Sequence, residues 1–360
     1  MIVSPDDLVH RLRHQYFGDE RSTHADLKVK RQNGSVSVAG TVLDRSAAEL
    51  LLGSLTSHAP SIDWRDEMVP LVTGPDYSWA LAGRAVSDVR REASHRTERV
   101  TQIIYGEPVE ILRRVGNWAY VRLQDGYLGW TQTEPLHVCA AEAAREWITG
   151  TTHIVRQPLL PCYADPSGDP HQQVMLLPFG ARLHVEGVDG PYRRVRCPDN
   201  SVRWVPATGL LPAVEIVHTG IEGLRTVVSW AQAVTGVPYL WGGKTPFGYD
   251  CSGLIQIFYA MLGMQLRRDA DQQFTQGQAI PFDEVEFGDC LFFDTSASEE
   301  HLQSGGGEVQ VTHVAMALDH GEFLHASRTH GGVVRNSFDL HATHGIPAYR
   351  LRFLGARRYI

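Results

Sequence analysis

A thiol, a nearby base and a group to orient that base are enough for acyl transfer, and this sequence offers all three. Cys251 lies in Asp250-Cys251-Ser252-Gly253, and apolar Leu254, Ile255, Phe258 and Met261 follow at helical spacing. The flexible break is upstream, at Pro246-Phe247-Gly248, so Cys251 is expected in the first turn of a buried helix. The unpaired N–H groups and positive end of a helix favour a thiolate there. They would lower a pKa that is about 8.5 in free cysteine. The same N–H groups can stabilise an oxyanion at an attacked carbonyl. A thiol that is mostly protonated at neutral pH still needs a base.

The base is sought among 17 histidines. His313 lies in Val311-Thr312-His313-Val314-Ala315-Met316-Ala317-Leu318, and His325 in Glu322-Phe323-Leu324-His325-Ala326-Ser327. Both runs are strand-like, and Asp319-His320-Gly321 between them is turn chemistry. If they pair as a hairpin, the two histidines share a face only with an odd-length connection or a bulge. They would then be direct or diagonal neighbours, about 5–8 Å apart. One imidazole could take the thiol proton while the other holds its tautomer. A lone histidine is more often an ordinary core or surface residue; Cys251, His313 and His325 taken together are not read that way.

The elements that must position these groups fall into four segments. Residues 1–75 read as a small αββαβ unit, with Asn33-Gly34 between two alternating runs as a hairpin signal and Asp44 as a helix cap. Residues 76–140 and 141–213 contain a duplication: Gly106, Ile111, Trp118, Val121, Trp130 and Leu136 recur as Gly180, Val185, Tyr192, Val195, Trp204 and Leu210, always 74 positions on. Short strands between turn residues make each copy a small β-barrel, with Trp130 and Trp204 as core. Residues 214–360 carry a helical run from Ile221 to Val234, the cysteine helix, the histidine strands and a further run at Tyr349–Phe353. Gly305-Gly306-Gly307 suggests a hairpin tip or flap. The expected fold class is multidomain α+β, with two small β-barrels between an N-terminal αββαβ unit and a C-terminal α+β domain.

Net charge is 33 − 41 = −8, which argues against a general nucleic-acid or anionic-membrane binder. The longest uncharged run, Thr226–Gly243, contains Gly236 and Pro238 and makes a poor membrane span. Asp6 and Asp7 interrupt any signal-type apolar core, so a cytoplasmic location is expected. Five cysteines, an odd number without a C-x-x-C pair, do not form a disulfide scaffold. His10 and His14 lie four apart but lack a third ligand, His341 and His344 lie near a turn, and Gly242-Gly243-Lys244-Thr245 lacks the first glycine of a phosphate loop. No metal or cofactor is expected.

Several blocks in order, YLWGG with PFGYDCSGL, RRDADQQ, FGDCLFF, THVAMAL and GEFLHAS, resemble the NlpC-type papain-like cysteine peptidases of bacterial cell walls. With two SH3-like domains ahead of them, the layout resembles the YkfC-type γ-D-glutamyl-L-diamino acid endopeptidases, and residues 1–75 resemble a BON domain. The resemblance implies a papain-like C-terminal domain with a central antiparallel sheet, Cys251 as nucleophile, His313 as base and His325 as the group orienting it. It implies substrate contacts at Tyr239, Asp250, Ser252, Asp269 and Ala270. It also implies that the first barrel caps the cleft, with Glu98 and Tyr127 holding the free amino group of an N-terminal L-alanine. The expected partner is a murein peptide, L-Ala-γ-D-Glu-L-Lys or its meso-diaminopimelate counterpart, in cell-wall recycling. Alternatives are an exported hydrolase acting on intact wall, with the barrels as wall binders, and a murein-binding protein without activity. The diamino acid and the oligomeric state are left open.

Overall fold

The computed structural model describes residues 4–32, 34–215, 220–296, 310–339, 341–346 and 348–360. The Gly305–Gly307 segment lies outside the described residues.

The N-terminal unit has the expected element order: α1 (Pro5–Phe17), β1 (Ala25–Gln32), β2 (Ser35–Val42), α2 (Arg45–His58) and β3 (Asp63–Pro70). Ser4 and Asp44 cap the two helices by accepting the backbone N–H groups of Asp7 and Ala47. Leu8, Leu12, Val38, Leu51 and Leu55 pack between the helices and the three-stranded sheet. His10 and His14 are exposed on α1.

The first barrel-like sheet comprises β4 (Ser78–Ala82), β5 (Val86–Arg90), β6 (Arg99–Ile104), β7 (Pro108–Val115), β8 (Trp118–Arg122), β9 (Leu128–Gln132) and β10 (Leu136–Cys139). After α3 (Ala141–Thr149), a second follows with β11 (His153–Val155), β12 (Leu159–Tyr163), β13 (Gln173–Pro178), β14 (Arg182–Asp189), β15 (Tyr192–Arg196), β16 (Val202–Pro206) and β17 (Leu210–Pro212). The duplication extends to register. Ile111 faces Val121 just before a bulge in β7, and Val185 faces Val195 just before the matching bulge in β14. Trp130 is buried, but Trp204 is only half-buried and donates its indole N–H to Asp189 at 2.5 Å. The sequence reading had put Trp204 in the core; a polar indole edge that finds a carboxylate at the surface need not go there.

The C-terminal part contains α4 (Ile221–Ala231), the short pair β18 (Lys244–Thr245) and β19 (Gly248–Tyr249), α5 (Cys251–Met261) and α6 (Ala270–Phe274). Its strands are β20 (Gln278–Ile280), β21 (Cys290–Phe293), β22 (His313–Ala317), β23 (Glu322–Ser327), β24 (Gly332–Ser337) and β25 (Phe353–Arg358), with α7 (Ala348–Leu351) before the last. They form a six-stranded antiparallel sheet in the order β20-β25-β21-β22-β23-β24. The run at Tyr349 is helical and the strand begins only at Phe353. Helix α5 is apolar on nearly every side because it is buried nearly all round, against the sheet and α4.

The first barrel is fastened to this domain by polar contacts. Lys244 Nζ, nearly buried, donates to both oxygens of Glu107 at 2.9 and 3.1 Å. Gln102 Oε1 accepts from the Lys244 amide and the Thr245 hydroxyl. Each is a group that would be left unsatisfied if the two units separated without water reaching it.

Candidate active site

Cys251 is the first residue of α5, and Asp250 is its N-cap. Asp250 Oδ1 accepts from the Gly253 amide at 2.7 Å, and Oδ2 accepts from the Gly242 amide at 2.9 Å. The Asp-Cys-Ser-Gly spacing therefore caps the helix and joins it to the upstream loop. Gly253 has to be glycine here: a Cβ would fall 2.2 Å from the Gly243 carbonyl oxygen.

The Asp250 carboxylate faces Arg268, whose side chain is 0% exposed. Arg268 Nη2 donates to Oδ2 at 2.6 Å and Nη1 to Oδ1 at 3.0 Å. Nη1 also reaches the Ser252 hydroxyl at 2.9 Å, and Nε reaches Thr101 Oγ1 of the first barrel at 2.8 Å. Asp250 and Ser252, expected on the substrate, are thus consumed in a buried network that positions the cysteine. A carboxylate already bonded to a guanidinium and two amides has little left for a ligand.

The histidines meet as the register requires. Met316 faces Leu324 and Ala317 faces Phe323, leaving the five residues 318–322 as an odd connection. His313 and His325 are diagonal neighbours, with Nε2 of the first 2.7 Å from Nδ1 of the second. His325 Nε2 lies 2.8 Å from Asn336 Oδ1 on β24. The Asn336 amide nitrogen donates to the His344 carbonyl, so its oxygen is the atom turned to His325. His325 must then carry its proton on Nε2 and accept at Nδ1, and His313 must carry its proton on Nε2. Nδ1 of His313 is left with a free lone pair. One residue along, the Val314 amide is placed to lower the Cys251 thiol pKa, as is the Ser252 amide. Cys251 is a free thiol.

Burial sets the protonation states. It pushes the Cys251 thiol up to about 12, the Asp250 carboxylate adds to the rise, and the Val314 and Ser252 amides and Arg268 offset only part of it. The expectation of a lowered thiol pKa is thus overturned, because desolvation and a neighbouring anion outweigh the helix end. Burial carries His313 well below its ordinary value, with the charge of His325 acting in the same direction. It takes His325 down to about 4, with His330 in the same direction and the Asn336 bond opposing. Phe293, Phe323 and Tyr349 wall in the histidines; the Tyr349 ring lies 5.3 Å from His325 and 5.9 Å from His313. Burial thus favours the neutral thiol and the neutral imidazole.

Tyr239 is half-buried near the sulfur, and burial, then Cys251 and Asp250, raise its phenol pKa, so it stays a donor. Asp269 caps α6, and Ala270 is the first residue of that helix. Tyr127 donates to Asp269 Oδ2 at 3.0 Å across the barrel interface. Burial raises the Asp269 pKa against the opposing pull of Arg268, Arg21 and Tyr127. Glu98 is engaged elsewhere: Arg91 Nε donates to one oxygen at 2.8 Å and Trp241 Nε1 to the other at 2.6 Å. Thus Asp269 is the carboxylate that meets Tyr127.

Asn336 and Arg268 were missed by sequence reasoning. The signal for Asn336 was a polar residue on the apolar face of a strand that pairs with the His325 strand. For Arg268 it was an arginine beside an aspartate in RRDADQQ. His344, dismissed as a metal ligand, pairs with Glu322 at 3.0 Å.

Residues 236–344 match the NlpC/P60 family and residues 89–136 match the bacterial dipeptidyl-peptidase SH3 domain. The chain carries an NlpC/P60 peptidase domain behind an SH3 domain. It is 26% identical over 306 residues to a γ-D-glutamyl-L-lysine dipeptidyl-peptidase of Bacillus cereus, covering 81% of this chain and 84% of that one. It is 27% identical to dipeptidyl-peptidase 6 of Lysinibacillus sphaericus over 64% of this chain and 90% of the other. A crystal structure of an NlpC/P60 family protein from Bacillus cereus superposes with a TM-score of 0.66 at 21% identity, covering 78% of this chain and 99% of that one, which establishes the shared fold.

Two outcomes are expected of the relay. Asn336→Ala should lower kcat on the order of 10²-fold with KM little changed, since a base with the wrong tautomer loses general-base efficiency; unchanged kcat in steady-state assays would contradict this. His325 titrates at about 4 when folded and 6.5 when free. Between those values the unfolded chain binds the extra proton, so the stability that His325 contributes is full above pH 6.5 and drains as pH falls. Urea unfolding should show the wild type losing about 1.4 kcal/mol per pH unit more than His325→Asn over that window, since His313, which burial also holds below its ordinary value, still titrates in the variant.

Proposed function

We propose that this chain is a cysteine endopeptidase that cuts the γ-D-glutamyl bond to L-lysine or meso-diaminopimelate in peptides beginning with a free L-alanine. Such peptides arise when murein is recycled, and the reading places the enzyme in the cytoplasm, where its five free thiols persist. The observation that carries it is the contact of Tyr127 with Asp269, which sets a carboxylate and a phenol together where the first barrel meets the peptidase domain. A buried ammonium requires such a carboxylate. The name borne by the Bacillus cereus relative points to the same bond type.

In this reading His313 Nδ1 takes the Cys251 proton as the sulfur attacks the γ-carbonyl. The oxyanion is met by the Cys251 amide at the start of α5 and by the Tyr239 hydroxyl. His313 returns the proton to the leaving α-amine of the diamino acid, and a thioester to the glutamyl γ-carbon remains. Water, deprotonated by His313, then releases L-Ala-D-Glu and the free thiol. Since burial favours the neutral form of both partners, proton transfer accompanies attack in this reading.

The wild-type enzyme should cleave L-Ala-γ-D-Glu-L-Lys at least about 10²-fold more efficiently than its N-acetyl form. Mass analysis of the fragments checks this, and equal cleavage of the two would refute the free-amine requirement. Cys251→Ala should cleave neither.

A further inference from the structure

The carboxylate that meets Tyr127 already holds a cation, and the chain itself supplies it. Asp269 Oδ2, which accepts from Tyr127, also accepts from Nη1 of Arg21 at 3.0 Å, although 248 positions separate the two residues. Arg21 lies between α1 and β1 of the N-terminal unit. Its Nη1 and Nη2 also donate to the two oxygens of Asp271 at 2.8 and 2.7 Å, and its Nε donates to Asp19 at 2.8 Å.

The turn that carries Arg21 is held from two sides. The Leu128 amide, next to Tyr127, donates to the Arg21 carbonyl at 2.7 Å. Gln272 Nε2 on α6 donates to Asp19 at 2.9 Å. The guanidinium is therefore delivered to Asp269 by a docked element, not by a wandering surface side chain. A second arginine, Arg91, stands within electrostatic reach of Asp269 and Tyr127 and bonds Glu98. The acids of this corner thus already carry counter-charges.

A free ammonium seeking Asp269 must share its oxygen with a like charge or displace it. We propose that Arg21 sets the affinity of this site for the substrate's N-terminal ammonium by occupying Asp269 in its place, so that the N-terminal unit carries a built-in competitor. The proposal rests on the free-amine reading above and adds to it the residue that tunes it. Asp269 is contested between Arg21 and the substrate, whereas Asp271 holds Arg21 and Asp19 holds Arg21 and Gln272. The competitor is a specificity determinant, because a blocked N-terminus has no charge to compete with and gains nothing from its removal.

The test is steady-state kinetics of the full chain. Arg21→Ala should lower KM for L-Ala-γ-D-Glu-L-Lys by about 5- to 10-fold, leave kcat within about twofold, and leave cleavage of the N-acetyl peptide unchanged. Asp271→Asn, which loosens Arg21 but keeps Asp269, should lower KM in the same direction by less. It also serves if Arg21→Ala fails to fold, as a thermal melt would reveal. A KM that is unchanged or raised in the folded variants overturns the proposal and leaves Arg21 as a docking residue. If the wild type discriminates between free and acetylated peptides but the variants do not shift KM, only the role of Arg21 fails. If the wild type cleaves both alike, the free-amine reading falls and this proposal with it.

Discussion

The ion pair between Arg268 and Asp250 is almost wholly withdrawn from water, and the rest of the site is arranged around it. Two charges removed from solvent are tolerated only when their remaining hydrogen-bonding capacity is filled. Here it is: Asp250 takes amides from α5 and from the Gly242 loop, while Arg268 takes Ser252 and Thr101. One pair of charges therefore fixes the start of the cysteine helix, the loop beneath it, the segment that leads to Asp269 and the edge of the first barrel. The nucleophile and the wall that selects its substrate are built on a common foundation.

Burial that strong also decides the chemistry. The sulfur is buried and both imidazoles sit among aromatic rings, surroundings that favour neutral forms. The enzyme favours the neutral thiol. It stores a direction for the proton: Asn336 fixes the tautomer of His325, which fixes that of His313, which leaves one lone pair for the thiol. The relay crosses three neighbouring strands diagonally, so its geometry is as rigid as the sheet.

Much of this was legible in the chain. The 74-residue offset survives as matching registers and matching bulges in the two barrel-like sheets. The helix around Cys251 followed from apolar spacing, and the parity of 313 and 325 implied an odd connection, which the structure has. What could not be read was whatever depends on distant partners. Arg21 and Asp269 are joined by docking of separate units, and no spacing rule links them. Asn336 required the pairing of β24 with β23. The sign of the Cys251 shift was misjudged for the same reason: the helix end is visible in sequence, while the depth of burial and the reach of Asp250 toward the sulfur belong to the packed structure. The run at Tyr349–Phe353 announced no element type, and Tyr349 occupies a short helical turn against the histidines.

The central claim is that Asp250 and Arg268 act as a unit in holding Cys251. A double-mutant cycle with Asp250→Asn, Arg268→Met and the combined variant, reading kcat/KM and unfolding free energy together, tests it most directly. Each single change should strand a buried charge or its donors and lose most activity, and the double variant should lose no more than either single one and regain stability relative to Asp250→Asn. Losses that simply add in the double variant would show that the two residues act independently and would contradict the account.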